Sequence, residues 1–367
     1  LRCPTFALFF HSQGVFPNHS TRIFFLLSAI QWHEGDNMPK IIRFHQLGGP
    51  EVLRFEEAEP QQPSKGEVRI RVQASGLNRA ESVYMRGRYF EQPQLPSRIG
   101  YEVAGVVEAV GEGVDAGWIG KPVATVPGFS QNRYGTLGEE AVVPVEVLGE
   151  YPANLTPVQA AAIWMQFLTA YGALVLIGGI KAGDFISIPA ASSSVGLAAI
   201  QIARDHGATA IAVTRSAAKR EELLALGAHH VIVSDKEDYP ARMKEITGGK
   251  GARITFDPVA GPGIEHLAEG AANSGHLIEY GALDGGPTPF PLIAAMTKGL
   301  NVHGYTMLQV THDPAIAAKA KKYVFDRLAE GRFVPRIART FPFTQTIEAY
   351  QYLESNQQVG KVVITVP

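Results

Sequence analysis

From Asp184 onward the sequence alternates short apolar runs with stretches of helical periodicity, and this alternation restricts the possible folds more than any other feature. The apolar runs are "DFISIPA", "TAIAVTR", "HVIVS", "ARITFDPV" and "GHLIEYGAL". Between them stand a helix with apolar positions at Val195, Ala198, Ala199, Ile202 and Ala203, then "SAAKREELLALGA", Tyr239 to Ile246, and the stretch after Pro262. Repeated strand–helix units of this kind close with right-handed crossovers into a doubly wound parallel sheet. Met38 to Glu150 reads differently: "GEVRIRVQASGLN", "GYEVAGVVEAVGEGV" and "GKPVATVP" are short β-branched runs punctuated by Gly, Pro and Asp, which predicts a β-rich domain. "LTPVQAAAIWMQFLTAYGAL" follows, entering a helix with Thr156 as N-cap and Pro157 in the first turn; its apolar character predicts burial. A helical stretch from Asp313 to Glu330 leads to a last strand, "GKVVITV", suited to rejoin the β-rich part. The expected fold is α/β, with one lobe over residues 38–160 and 307–367 and a doubly wound lobe over 161–306.

Composition narrows the partner. A hydrophobic fraction of 46% against 19% charged residues is that of a globular chain rather than a disordered one. The net charge of -2, without a basic block, gives no electrostatic footprint for nucleic acid. No apolar run is expected to approach the roughly 20 residues that span a bilayer, so the expected partner is a small molecule. Cys3 is the single cysteine, which rules out a disulfide within the chain and a thiolate zinc cluster. Residues 1–37 lack periodicity, and Met38 is the expected natural start, with the leader non-native or dispensable. The rival reading is a targeting peptide, in which Ile23 to Ile30 is a short apolar core preceded by Arg22.

The turn between the first strand and helix, "IPAASSSVG", is glycine-poor. A dinucleotide fingerprint usually carries three glycines there, whereas only Gly196 remains. Backbone N–H groups and the positive end of the helix dipole still suit a pyrophosphate, and the serine hydroxyls add donors. Ser193, Ser194 and Val195 are therefore expected to hold a cofactor; the alternative is a serine N-cap on a core helix. At the end of the second strand an NAD site usually places an acid. Here stand Arg215 and Ser216, then Lys219, a set that suits a 2′-phosphate and predicts NADPH. Lys219 and Arg220 also fit a solvated first helical turn.

The order of these pieces, with "SGLNRAESVYMRGRYFEQPQLPSRIGYEVAGVVEAVG", "GGKGARITFDPVAG" and the terminal "GKVVITV", resembles the medium-chain dehydrogenase/reductase superfamily, in its zinc-independent quinone oxidoreductase and enoyl reductase branch. The resemblance covers Met38 to Pro367 and implies a GroES-like catalytic domain beside a Rossmann cofactor domain. Zinc enzymes of the superfamily ligate metal where Asn78 and Tyr101 stand here, and neither residue supplies a thiolate or imidazole. No metal is expected. The resemblance also makes Asn78 a polar anchor near nicotinamide and substrate, and places Asp257 and Tyr280 on cofactor-facing loops. It puts Tyr89 at the position of a proton-donating tyrosine, and Tyr101 beside the substrate. Glu81 and Val83 depart from the branch, which often has Asp and Tyr there.

Without a metal, the expected reaction is hydride delivery from NADPH to a quinone or an α,β-unsaturated carbonyl, with a proton supplied to the developing enolate. Tyr89 is either its donor or a structural cover on the cleft; Tyr101 either lines the substrate or fills volume. A 2-enoyl thioester reductase and a catalytically idle NADPH-binding sensor are the alternative functions. His229 and His230 read as structural, and no histidines after Met38 stand at metal-ligand spacing. "GLNVHGYTM" resembles the family's sheet-to-sheet contact, which implies a homodimer. A reduced dinucleotide pool and the lack of an export signal point to the cytoplasm.

Overall fold

The computed structural model describes residues 38–367, and the expected leader lies outside the described residues. Phe185–Ile188 (β1), Thr209–Thr214 (β2), His230–Val233 (β3), Ala252–Asp257 (β4), Ala271–Glu279 (β5) and Asn301–Gly304 (β6) form one sheet in the order β3-β2-β1-β4-β5-β6. Every neighbouring pair is parallel. The chain reverses its direction of growth between β1 and β4, and a doubly wound sheet leaves its ligand crevice at such a reversal, beyond the carboxyl ends of the strands. Helix α1 (Ser194–Asp205) starts there. Its buried residues Leu197, Ala198, Ile202 and Ala203 recur at helical spacing and seat it on the sheet.

The β-rich part forms a second, largely antiparallel sheet around Glu67–Gly76, which pairs with Glu102–Val110, Glu140–Pro144 and Lys361–Thr365. The last of these is the expected returning strand: Val363 lies opposite Gly76 and Thr365 opposite Ala74. A three-stranded sheet of Lys40–Phe44, Leu53–Glu57 and Ser97–Arg98 lies in the same lobe. Buried residues form one continuous core from Ala74, Ala104 and Ala124, through Trp164, Phe167 and Leu168, to Ile186 and Ile188. The two sheets thus share packing through the apolar segment between them.

That segment departs from expectation in two ways. It is not one regular helix: Pro157–Ala160 ends in a break, Trp164–Tyr171 follows, and Gly172–Ile177 is a π-helical turn. The break has a cause in charge, because Oε1 of buried Glu102 accepts from the N–H groups of Trp164 and Met165, at 2.7 and 3.1 Å, and caps a new helix start. The expectation that no apolar run approaches membrane-spanning length is also corrected. Pro157–Ile177 is 21 residues long with a window of mean hydropathy 1.8, yet 78% of that window is buried inside the fold.

Candidate active site

The charged centre of the β-rich lobe is closed on itself. Lys361, only 1% exposed, places its ammonium 2.6 Å from Oδ1 of Asn78 and 2.6 Å from Oε2 of Glu102. Asn78 turns its amide nitrogen to the Gly76 carbonyl at 3.1 Å and to Oε1 of Glu81 at 3.2 Å. Glu81 accepts further from the backbone N–H of Asn78 and of Tyr101, and from the Tyr350 hydroxyl at 2.9 Å. Burial pushes the Glu81 carboxyl above its usual range, against the pull of the Asn78 donors and Lys361. Both amide hydrogens of Asn78 are thereby engaged within the chain, and its Oδ1 accepts from Lys361.

Tyr89 is half-buried at the edge of this centre, with Tyr101 behind it. Their ring centroids are 6.4 Å apart, and Phe129 packs on the other side of Tyr101 at 5.5 Å. Burial raises the pKa of both phenols. Tyr101 is 6% exposed, so most of the substrate-lining surface expected of it is covered by neighbouring aromatics.

In the turn after β1 the backbone strain falls on Ala190, which adopts φ +47° where an L residue is disfavoured. The serines keep ordinary angles where the cap is defined: Ser193 is extended (φ -68°, ψ 158°) and its Oγ accepts from the Gly196 N–H at 3.0 Å. A Cβ on Gly196 would lie 2.6–2.8 Å from the Ala191 backbone, so glycine is required for close packing of α1 on the turn. Ser193 and Gly360 form a parallel bridge that engages the Ser194 N–H with the Gly360 carbonyl, while Val195, at the second helical position, has no intrahelical acceptor for its N–H. The Val195 N–H and the dipole of this 12-residue helix suit a pyrophosphate.

Lys219 takes a different position from the one expected. Its ammonium donates to Ser192 Oγ at 2.9 Å, to the Asn356 carbonyl at 2.8 Å and to the Gln358 carbonyl at 3.0 Å, so it clasps the phosphate turn to the chain ahead of the last strand. Arg215 and Ser216 are exposed at the end of β2. Asp257 is also corrected: it is fully buried, and its carboxylate accepts from the N–H groups of Val259 and Ala260, at 3.0 and 2.8 Å. These bonds shape the loop after β4. Its register partner is Glu279, whose carboxyl oxygens are buried without other partners. Burial, with Asp257 beside it, pushes the Glu279 pKa up to about 9. Tyr280 stacks on Phe256 with centroids 4.0 Å apart and turns its hydroxyl toward Ser193.

Gly360 and Lys361 join the two halves of the site. The Gly360 N–H donates to the Ser192 carbonyl at 3.0 Å, while Lys361 anchors the charged centre. Gly360 has φ +110°, and a Cβ there would meet the Arg336 carbonyl at 2.4 Å. Sequence reasoning missed Lys361, although a lysine inside an otherwise apolar strand is itself a signal that a buried partner awaits it.

Comparison with known proteins extends this picture. Residues 64–157 match the family described as the alcohol dehydrogenase GroES-like domain, and residues 194–321 match the zinc-binding dehydrogenase family. The chain is 30% identical over 333 residues to quinone oxidoreductase 1 of Escherichia coli, covering 88% of this chain and 98% of that protein. It is 29% identical over 336 residues to a 2-haloacrylate reductase of a Burkholderia species, covering 87% of this chain and 97% of the relative. The crystal structure of Escherichia coli quinone oxidoreductase complexed with NADPH superposes with a TM-score of 0.81 at 29% identity, covering 89% of this chain and 99% of that one.

Proposed function

The chain belongs to the medium-chain dehydrogenase/reductase superfamily, with a GroES-like domain and a Rossmann-type domain, and from that premise we propose that it is an NADPH-dependent, metal-free reductase of quinones or α,β-unsaturated carbonyls. The observation that carries this reading is the Lys361 ammonium, seated between Asn78 and Glu102. A fixed cation already occupies the polar centre where the resemblance locates a metal in the zinc enzymes, and the donors around it are an amide and carboxylates. We read 161–306 as the cofactor lobe and 38–160 with 307–367 as the catalytic one.

Ser193, Ser194 and Val195 offer the helix start to a pyrophosphate, and Arg215 with Ser216 offers a guanidinium and a hydroxyl to a 2′-phosphate. The nicotinamide, when bound, supplies a hydride. Asn78 and Tyr280 bound its pocket. Tyr89, protonated at neutral pH as a phenol is and held more firmly so by burial, keeps its proton at the phenol oxygen for the charge that develops on the substrate. Tyr101 and Phe129 pack the wall behind it and exclude water. The exposed apolar side chains of Phe290, Leu292, Ile293 and Met296 lie around the helix that precedes edge strand β6. They favour a homodimer built on that edge. The absence of any use for an oxidising compartment fits the cytoplasm.

The test is NADPH oxidation, followed by absorbance, with a benzoquinone, a simple enone and a crotonyl thioester as acceptors, all in excess chelator. Turnover of the quinone or enone is expected. Turnover confined to the thioester would make the protein an enoyl thioester reductase, and no turnover with tight NADPH binding would make it a sensor. Tyr89→Phe should lower turnover about 100-fold or more; unchanged turnover would assign the proton to water.

A further inference from the structure

The outer strands of the parallel sheet carry two histidines that the reductase reading does not use. β5 and β6 are parallel neighbours in which His276 lies opposite Asn301 and Ile278 opposite His303. His276 and Ile278 are two residues apart, so the imidazoles of His276 and His303 project from one face of the sheet. Nδ1 of His276 is 3.1 Å from Nε2 of His303, with ring centroids 5.3 Å apart and planes 17° from parallel. Both rings are half-buried. The pair is invisible to sequence spacing, because 27 residues separate its members and only the strand register brings them together.

We propose that His276 and His303 form a two-imidazole chelate for a borderline transition dication such as Zn²⁺, Ni²⁺ or Cu²⁺, with water completing the coordination. Two nitrogens held about 2.05 Å from a tetrahedral ion lie about 3.3 Å apart, and the observed separation corresponds to a nitrogen–metal–nitrogen angle of about 98°. Swinging each inner lone pair from the N···N line toward the ion, by about 41° at that angle, converts the N–H···N contact into a chelate. No proton need leave: the donor ring moves its hydrogen to its outer nitrogen, and both inner lone pairs face the ion. The two imidazole nitrogens themselves favour borderline dications over oxygen-preferring Mg²⁺ and Ca²⁺. Among the described residues no cluster of three or more His, Cys, Asp or Glu side chains is placed to hold a metal, so the chelate keeps open positions for water.

The full chain, stripped with chelator and desalted, is titrated with Zn²⁺ by calorimetry beside His303→Gln and His276→Gln, each checked by circular dichroism. Loss of either ring should weaken one class of site by about tenfold or more, since even outer-shell partners of metal ligands are worth about 10–100-fold. Identical isotherms for all three proteins would overturn the proposal. A second measurement needs no variant: diethyl pyrocarbonate modification of the unmutated protein, read by peptide mass spectrometry. Zn²⁺ should protect His276 and His303 together, and equal modification with and without Zn²⁺ would refute the chelate. Neither readout depends on cofactor or turnover.

Discussion

The charged centre around Lys361 and the serine turn after β1 lie on either side of one dipeptide, Gly360-Lys361, yet they are built on opposite plans. At the centre the polar groups are spent on one another: Lys361, Asn78, Glu81 and Glu102 hold one another and the start of the helix at Trp164. At the turn a donor is left over, since Val195 stands at the second helical position without an intrahelical acceptor, while Ser194 is drawn into the bridge with Gly360. The first region is satisfied largely by the fold and fixes geometry. The second leaves a helix start open, as the proposed pyrophosphate site requires.

The contrast is broken most severely by Lys361→Met. This change leaves Glu102 buried without its cation and should cost about 3–5 kcal/mol in chemical denaturation. A loss below about 1 kcal/mol would show that the centre is not held by the pair. Glu279→Gln probes the Rossmann side through pH. The folded pKa of Glu279 is raised, so its contribution to stability is complete below the ordinary carboxylate value of 4.5 and is lost as pH rises toward about 9. Wild-type stability should therefore decline over that window, and the decline should be smaller in the Gln variant; parallel curves would contradict the raised pKa. Ser193→Ala removes the cap on Gly196 and should cost about 1 kcal/mol, measured by thermal unfolding, while weakening NADPH binding. Ala190→Gly relieves the positive φ and should stabilise by up to about 1 kcal/mol, the smallest of these effects. A destabilised Gly variant would mean that the turn tolerates alanine without strain.

Much of this molecule was legible in advance. The alternation after Asp184 dictated the parallel sheet, and "GKVVITV" dictated the strand that returns to Glu67–Gly76, because periodicity and punctuation are local properties of the chain. Side-chain tasks were less legible. Asp257 and Lys219 carry residue types that suit a ligand, but each finds backbone partners nearer to hand: the loop amides for Asp257, and three acceptors around Ser192 for Lys219. A charge takes whichever partner the fold brings within reach, and sequence spacing does not report that distance. The same holds for Lys361 and for the His276–His303 pair, both assembled across strands. The helix break at Ile163 was hidden for a related reason, since its cause, Glu102, is 62 residues away from Trp164.

The most direct measurement of the central claim is calorimetric titration of the protein with NADPH and with NADH, in chelator, for wild type and Arg215→Ala. The account predicts NADPH binding at least about tenfold tighter than NADH, as a charge-assisted phosphate contact provides, with the preference lost in Arg215→Ala while NADH binding is retained. Equal binding of the two nucleotides, or binding of neither, would contradict it.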